Sequence, residues 1–488
     1  MTSLALLFFS IIPLVVLGIL LRAAHRAGST LRTVIIGATI FHESVLVVFP
    51  IWYSVFTDFY LEKEINASPD SLLEIMIGEA IFVVLFGLSM SFVRTRTVKP
   101  WNTALSSESN RLERLMVILL GALGLLVNLS GFFTPVGSFQ ELTRQADITI
   151  PQGWWVQLWV WIQVCFRFPA LVAAALLVIE PKIPKLFRLL GATSLAALAL
   201  DGLSSGMRGR LTWIVSLVVI VGYLLNRKKV IYVSVGAVLL VLPLFVFLGG
   251  GFRSISYSEL EGASRVEALS RLFEAVKTGE IKDPESESFV AALARRAQGP
   301  RNSIILHELY DTGQSAGFKP LFSAFFVPIP RVFWPTKRPP GSTDETSYGA
   351  AIYLAVRLTY GAPIYAMGPI LSSAHAYWEW GWLGVVLSGV ITGLFWNVLL
   401  TLCERSARPL HLIVVLSFSA ALLIDGFLTA LMPLYAIVTI FWSAVFPTLL
   451  LYLTILWVVR IIQRTRAFSG QLSGTKKVAF APAHRKTT

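Results

Sequence analysis

Long apolar blocks, each closed off by charged residues, set the pattern of this chain, and most approach the roughly 20 residues that a helix needs to cross a bilayer. About eleven spanning helices are predicted: Leu4–Leu21, Val34–Phe56, Leu72–Val93, Leu115–Phe133, Trp154–Ile179, Leu189–Leu203, Leu211–Leu225, Val230–Phe247, Trp382–Leu402, His411–Leu431 and Leu434–Val459. The sixth and seventh are short. One connection, within residues 249–381, is far longer than the rest, and a structureless loop of that size is uncommon. Val266, Leu269, Leu272, Phe273 and Val276 recur there at helical spacing. Asp283 and Pro284 open a second helix that Gly299-Pro300 closes, and a third runs from about Arg301 to Tyr310 and stops near Gly313. Phe318–Trp334 and Ala350–Leu371 are apolar but broken by Pro328, Pro330, Arg357, Pro363 and Pro369, so both read as re-entrant or interfacial pieces.

The expected architecture is an all-α polytopic membrane protein. Residues 1–248 form about eight spans, 249–381 a large, partly helical extracytoplasmic cap, 382–459 about three spans, and 460–488 a basic cytoplasmic tail. Charge supplies the orientation. Arg22, His25, Arg26 and Arg32 follow the first span with no base before it, the reverse of a signal peptide. Bases then return in every second connection, at Arg94–Arg114, Lys182–Arg188, Arg227–Lys229 and Arg405–Arg408, which puts the N-terminus outside and the C-terminus in the cytoplasm.

Composition agrees with this reading, with 55% hydrophobic residues, 14% charged residues and a mean hydropathy of +0.70. Much of the net charge of +13 is topological, so no nucleic-acid partner is expected. The two cysteines, Cys165 and Cys403, lie in or at the ends of spans and suit neither an extracellular disulfide nor a metal set. No nucleotide fingerprint follows a strand. Neither a cofactor nor a metal is expected.

Candidate chemistry gathers in the cap. From Arg295 to Arg338 the bases are Arg295, Arg296, Arg301, Lys319, Arg331, Lys337 and Arg338, opposed by Glu308 and Asp311 alone. Within Phe325–Gly341, prolines 328, 330, 335, 339 and 340 forbid a continuous helix, and Arg331, Lys337 and Arg338 alternate with Phe333 and Trp334. A stiff aromatic scaffold bearing cations suits an anionic, partly apolar ligand, since guanidinium forks match phosphate oxygens. The plainer alternative is a proline-rich connector lying against membrane lipid phosphates.

The stretch Gly317–Pro339, with its Pro-Arg331-Val-Phe-Trp-Pro-Thr-Lys337 core, resembles a segment of Wzy-type polymerases of O-antigen and exopolysaccharide. Ser204-Ser-Gly-Met-Arg208-Gly-Arg210 is similar to that family's small-residue-plus-Arg-Gly turn, and Ala376–Gly384, with Glu379, to its entry into a late helix. The resemblance implies an enzyme of the bacterial inner membrane, a glycosyltransferase. Its reaction would be inverting transfer of a glycan from a polyprenyl diphosphate carrier to a sugar hydroxyl of another lipid-linked repeat, with a flippase and a chain-length regulator as possible partners. The donor leaves as a diphosphate, so Arg331, Lys337, Arg338, Arg301, Arg208 and Arg210 would stabilise its charge. Glu379 and His375, one turn apart and facing outward, would activate the acceptor, with Arg331 acting at the leaving group. A ligase would use the same chemistry, whereas a flippase would need its cations in a pathway open to both faces.

Other polar residues have more ordinary readings. His307 and Asp311 stand at i,i+4 and could form a dyad, though such pairs are more often solvated surface contacts. Glu43 and Arg167 fall near mid-depth of their spans and are expected to pair, because an unpaired buried charge is costly.

Overall fold

The computed structural model describes residues 2–57, 69–91, 111–133, 154–180, 182–204, 209–229, 299–326, 370–406, 408–420 and 429–474, with isolated residues between 231 and 278 and at 329. The described elements are helical: α1 (Thr2–Arg26), α2 (Thr30–Glu43), α3 (Phe49–Thr57), α4 (Pro69–Ser91), α5 (Arg111–Phe133), α6 (Trp154–Ile179), α7 (Lys185–Ser204) and α8 (Gly209–Leu224). After the long connection come α9 (Gly299–Asp311), α10 (Lys319–Phe326), α11 (Ser372–Ser406), α12 (Pro409–Ala420), α13 (Leu434–Ile440) and α14 (Phe446–Gly474).

Among the described residues, six helical stretches are long and apolar enough to cross a membrane: Thr2–Arg26, Thr30–Tyr53, Asp70–Ser91, Leu112–Leu129, Ser372–Arg405 and Leu434–Gln463. Shorter apolar helices occur at Cys165–Ile179, Ile214–Leu224 and Pro409–Ser419. α1 shows the environment these helices need. It buries Leu6 and Leu17 while exposing Leu4, Phe8, Ile11, Val15 and Ile19 at helical spacing, a stripe that hydrocarbon can cover and water would penalise.

Several expected spans differ in detail. Val230–Phe247 lies almost wholly outside the described residues, as does most of the cap, whereas the first half of the basic tail continues α14 to Gly474. His411–Leu431 is not helical to its end: α12 closes at Ala420, and Thr429–Pro433 is buried without being helical. Side chains serve its backbone instead. Ala430 N–H donates to Thr39 Oγ1 at 2.9 Å, and Met432 C=O accepts from Thr392 Oγ1 at 3.1 Å. Irregular backbone survives among membrane helices only with such partners.

Two wide helical turns, Ser44–Val48 and Phe441–Val445, join α2 to α3 and α13 to α14. Each stands just before a proline, Pro50 and Pro447, whose ring lacks an N–H and clashes with the preceding turn. The extra residue in the turn makes room for that ring while the helix continues.

α4 lies between α1 and α11, and the α4–α11 contact is close because α11 carries glycines four apart. A Cβ on Gly389 would sit 2.8 Å from Phe82 C=O, and one on Gly393 2.4 Å from Phe86 C=O. Small residues at this spacing let helices approach where no hydrophobic force drives them together.

The basic ends of the helices converge. Arg32, buried, pairs with Glu404 at the end of α11 at 3.3 Å, Arg408 with Glu113 at 3.7 Å, and Arg227 with Glu180 at 3.9 Å. The first two pairs bring together the basic connections after α1, α4 and α11, and the third joins those after α6 and α8.

Candidate functional site

The candidate site is built on a break in α11. Trp380 (φ −143°, ψ 24°) and Gly381 (φ 61°, ψ −149°) leave helical geometry, and the Gly381 conformation is open essentially to glycine alone. Residues eight apart in an unbroken helix are separated by about 12 Å. Here a Cβ on Gly384 would lie 2.0 Å from the carbonyl oxygen of Ala376. The segment from Ser372 to Glu379 therefore folds back beside the start of the long helical stretch instead of continuing its axis.

A loop between α9 and α10 closes over this break. Ala316 N–H donates to Trp378 C=O at 3.0 Å and Gly317 N–H to Glu379 C=O at 3.2 Å, so the carbonyls released by the break are satisfied. Trp378 Nε1–H donates to Gln314 C=O at 2.9 Å, and the Phe318 ring lies 4.8 Å from that of Trp380. Gly313 and Gly317, with φ of +82° and +55°, supply the two left-handed bends of the loop.

The folded-back segment presents two polar faces, because residues two apart on a helix point to opposite sides. Ser373 and Tyr377 share the first. Ser373 Oγ donates to Glu79 Oε2 on α4 at 2.5 Å. The Tyr377 hydroxyl donates to Asp311 Oδ1 at 3.0 Å and stands 3.5 Å from Glu74 Oε1. His307 of α9 stacks flat on the Tyr377 ring, with centroids 3.8 Å apart, and its burial pushes the imidazole down to about 4, so it stays neutral near pH 7.

His375 and Glu379 share the second face, as their spacing predicts. Neither faces outward: both are only 2% exposed, which corrects the expectation of a base open to the acceptor. The His375 ring meets that of Tyr435 edge-on at 5.6 Å. Glu379 Oε1 has no hydrogen-bond partner among the described residues, an unmet demand that a buried carboxylate carries at considerable cost.

The cations are distributed differently. Arg301 is in the first turn of α9 and Arg210 in the first turn of α8. Arg208, Arg331, Lys337 and Arg338 lie outside the described residues. The His307–Asp311 pair does not bond directly, for Tyr377 stands between them as ring partner of one and hydrogen-bond donor of the other. Nor does Glu43 pair with Arg167. Its Oε1 lies 3.0 Å from His42 Nδ1, and its Oε2 has no hydrogen-bond partner among the described residues.

Ser373, Tyr377 and Glu79 were missed as a group by sequence reasoning. The one local trace was the four-residue spacing of Ser373 and Tyr377, which sets them on a common face. Among the described residues no group of three or more His, Cys, Asp or Glu side chains is arranged to hold a metal ion. No family model matches the chain, and no curated protein or solved structure shows a significant similarity to it.

Proposed function

We propose that the chain polymerises polyprenyl-diphosphate-linked oligosaccharide repeats by inverting glycosyl transfer at the break in α11. The observation that carries this reading is Glu379, a buried carboxylate with one oxygen that no described residue bonds, held on a folded-back helical segment beneath a glycine-hinged loop. That loop leads through α10 toward the proline-broken cationic stretch. Gly317 is bonded to the Glu379 carbonyl, and Ile329, two residues before Arg331, is bonded to the end of α10.

In the reaction, Glu379 takes the proton of the acceptor hydroxyl as its oxygen attacks the anomeric carbon. The bond to the diphosphate oxygen breaks on the opposite face, and Arg331 and Lys337 neutralise the charge that develops there. The buried carboxylate must first be uncovered, and lifting the loop at Gly313 and Gly317 would do so. His375, on the same face of the segment, would orient the acceptor.

The test is a glycan ladder from a deletion strain complemented with variants, read beside a membrane immunoblot. Arg331→Ala and Glu379→Gln are each expected to remove polymer at normal protein abundance while the single-repeat lipid-linked intermediate accumulates. A wild-type ladder from Arg331→Ala would reduce the Pro-Arg-Trp-Pro-Lys stretch to a structural lid. A transporter of the lipid-linked glycan is the second reading, favoured by the buried carboxylates Glu43 and Glu79. Its variants would lose the extracytoplasmic single repeat itself.

A further inference from the structure

The helices on either side of the loop that covers Glu379 turn different surfaces outward. α9 buries Ile304, Ile305, Leu306 and Leu309 and exposes Glu308 and Asp311, and the loop after it exposes Thr312, Gln314 and Ser315. That surface suits water. α10 opens with Lys319 exposed and then turns Phe322, Phe325 and Phe326 outward, with Phe318 just before it, each phenylalanine between 45% and 63% exposed. Water would penalise so many phenyl rings on so short a helix, whereas hydrocarbon covers them readily.

The placement of α10 agrees. It packs against α13, and the Phe325 ring lies 6.4 Å from that of Trp442 in the wide turn Phe441–Val445. Trp442 stands eighteen residues before Arg460, the first base of that helical stretch, which is about 27 Å along the axis. Counted from that base, Trp442 is just inside a hydrocarbon layer of about 30 Å. α10 is therefore immersed at the edge of the layer, as expected of a re-entrant piece, and the loop between α9 and α10 crosses from water into hydrocarbon. Ring contacts lead from the immersed face to the break in α11: Phe322 lies 6.4 Å from Phe318, and Phe318 4.8 Å from Trp380, the residue after Glu379.

We propose that the aromatic face running from Phe318 along α10 to Trp442 is the docking face for the isoprenoid chain of the lipid-linked glycan, which reaches the break in α11 sideways from the bilayer. The identity of that chain rests on the polymerase reading. The boundary at the loop matches the boundary within such an amphiphile. Its sugars lie on the polar side beside Glu379, its diphosphate at the boundary, where Lys319 offers a positive charge, and its prenyl units on the phenyl rings. Phe318 directly follows Gly317, whose N–H is bonded to the Glu379 carbonyl, so a chain seated on that ring also bears on the loop that covers the carboxylate. Docking makes and breaks no covalent bond.

The test is photolabelling of the purified full chain, in nanodiscs of phosphatidylethanolamine and phosphatidylglycerol, with a polyprenyl diphosphate that carries a diazirine in its prenyl chain. Mass spectrometry is expected to find label on residues 318–326, displaced by excess unlabelled polyprenyl diphosphate and not by added phosphatidylglycerol. Phe322→Ser/Phe325→Ser should lower the displaceable label about tenfold. Phe8→Ser, which removes an equally exposed ring from the lipid-facing stripe of α1, should leave it unchanged. Equal labelling of 318–326 by a diazirine-bearing phosphatidylglycerol, with no displacement by polyprenyl diphosphate, would make the face an ordinary lipid boundary and overturn the proposal. Displaceable label that is absent, or confined to other helices, or undiminished in the double serine variant, would overturn it as well. The assay needs no turnover. A labelled α10 in a protein whose Glu379→Gln variant still makes polymer keeps the docking face and sinks the catalytic reading, and an unlabelled α10 beside loss of polymer in that variant does the reverse.

Discussion

Replacing Glu404 with leucine should unfold the basic end of the bundle, because Arg32 is held there by bonds it cannot find elsewhere. Its guanidinium reaches Glu404 Oε2 at 3.3 Å, Asn397 Oδ1 at 2.9 Å and Thr401 Oγ1 at 2.6 Å, with the Met90 and Asn397 carbonyls at 3.4 and 3.3 Å. Glu404, fully buried, also accepts from the Ser29 hydroxyl and from Arg32 N–H. These contacts join the α1–α2 connection to α4 and α11. Leucine at position 404 removes the one carboxylate paired with Arg32 among the described residues and leaves a buried charge facing neutral acceptors, a loss of about 3–5 kcal/mol. At about 1.4 kcal/mol per decade, that is a fall of roughly 10² to 10³ or more in the folding equilibrium. Glu404→Gln keeps an oxygen and loses only the charge, so it should cost about 1.5–3 kcal/mol. Arg32→Met combined with Glu404→Leu should cost less than the two single changes together by at least about 1 kcal/mol. Denaturant unfolding of the purified protein, followed by tryptophan fluorescence, measures all four. A loss under about 1 kcal/mol for Glu404→Leu, or strict additivity in the cycle, would refute the reasoning.

Gly393→Leu should separate α4 from α11, since even a Cβ would lie 2.4 Å from Phe86 C=O, whereas Gly18→Leu, with nothing within 4 Å, should leave folded yield unchanged; gel filtration of detergent extracts compares them. The buried neutral His307 contributes stability that is full above its unfolded value of 6.5 and is lost as pH falls toward about 4, by up to about 3 kcal/mol. His307→Phe keeps a ring on Tyr377 and should flatten that dependence in thermal unfolding from pH 7 to 4; an unchanged slope would place the acid sensitivity elsewhere. Cysteine at position 270 should react with an impermeant thiol reagent in intact cells while cysteine at position 406 should not, and the opposite labelling would invert the proposed orientation.

Features governed by short-range rules could be read from the chain itself. Apolar length bounded by charge predicted the long helices, and the alternation of basic connections grouped Arg32 with Arg405–Arg408 and Arg94–Arg114, connections that the Arg32–Glu404 and Arg408–Glu113 pairs join. The helix expected over Arg301–Tyr310 is Gly299–Asp311, with Gly313 left-handed just beyond it. The common face of His375 and Glu379 followed from their four-residue spacing alone.

Whatever depended on meetings between distant residues was decided by the tertiary structure. Ser373 finds Glu79 across 294 positions, and no local rule selects that partner over another buried acid. Glu43 was matched to Arg167 because both are charged at similar depth, but depth does not fix which helices are neighbours, and the side-chain contact Glu43 makes is with His42, the residue before it. The break at Trp380–Gly381 was hidden for a related reason. Hydropathy is indifferent to direction, and the segment from Ser372 to Glu379 folds back because Gly381 can turn, Gly384 can admit the Ala376 carbonyl, and the Ala316–Gly317 loop satisfies the carbonyls that the turn exposes.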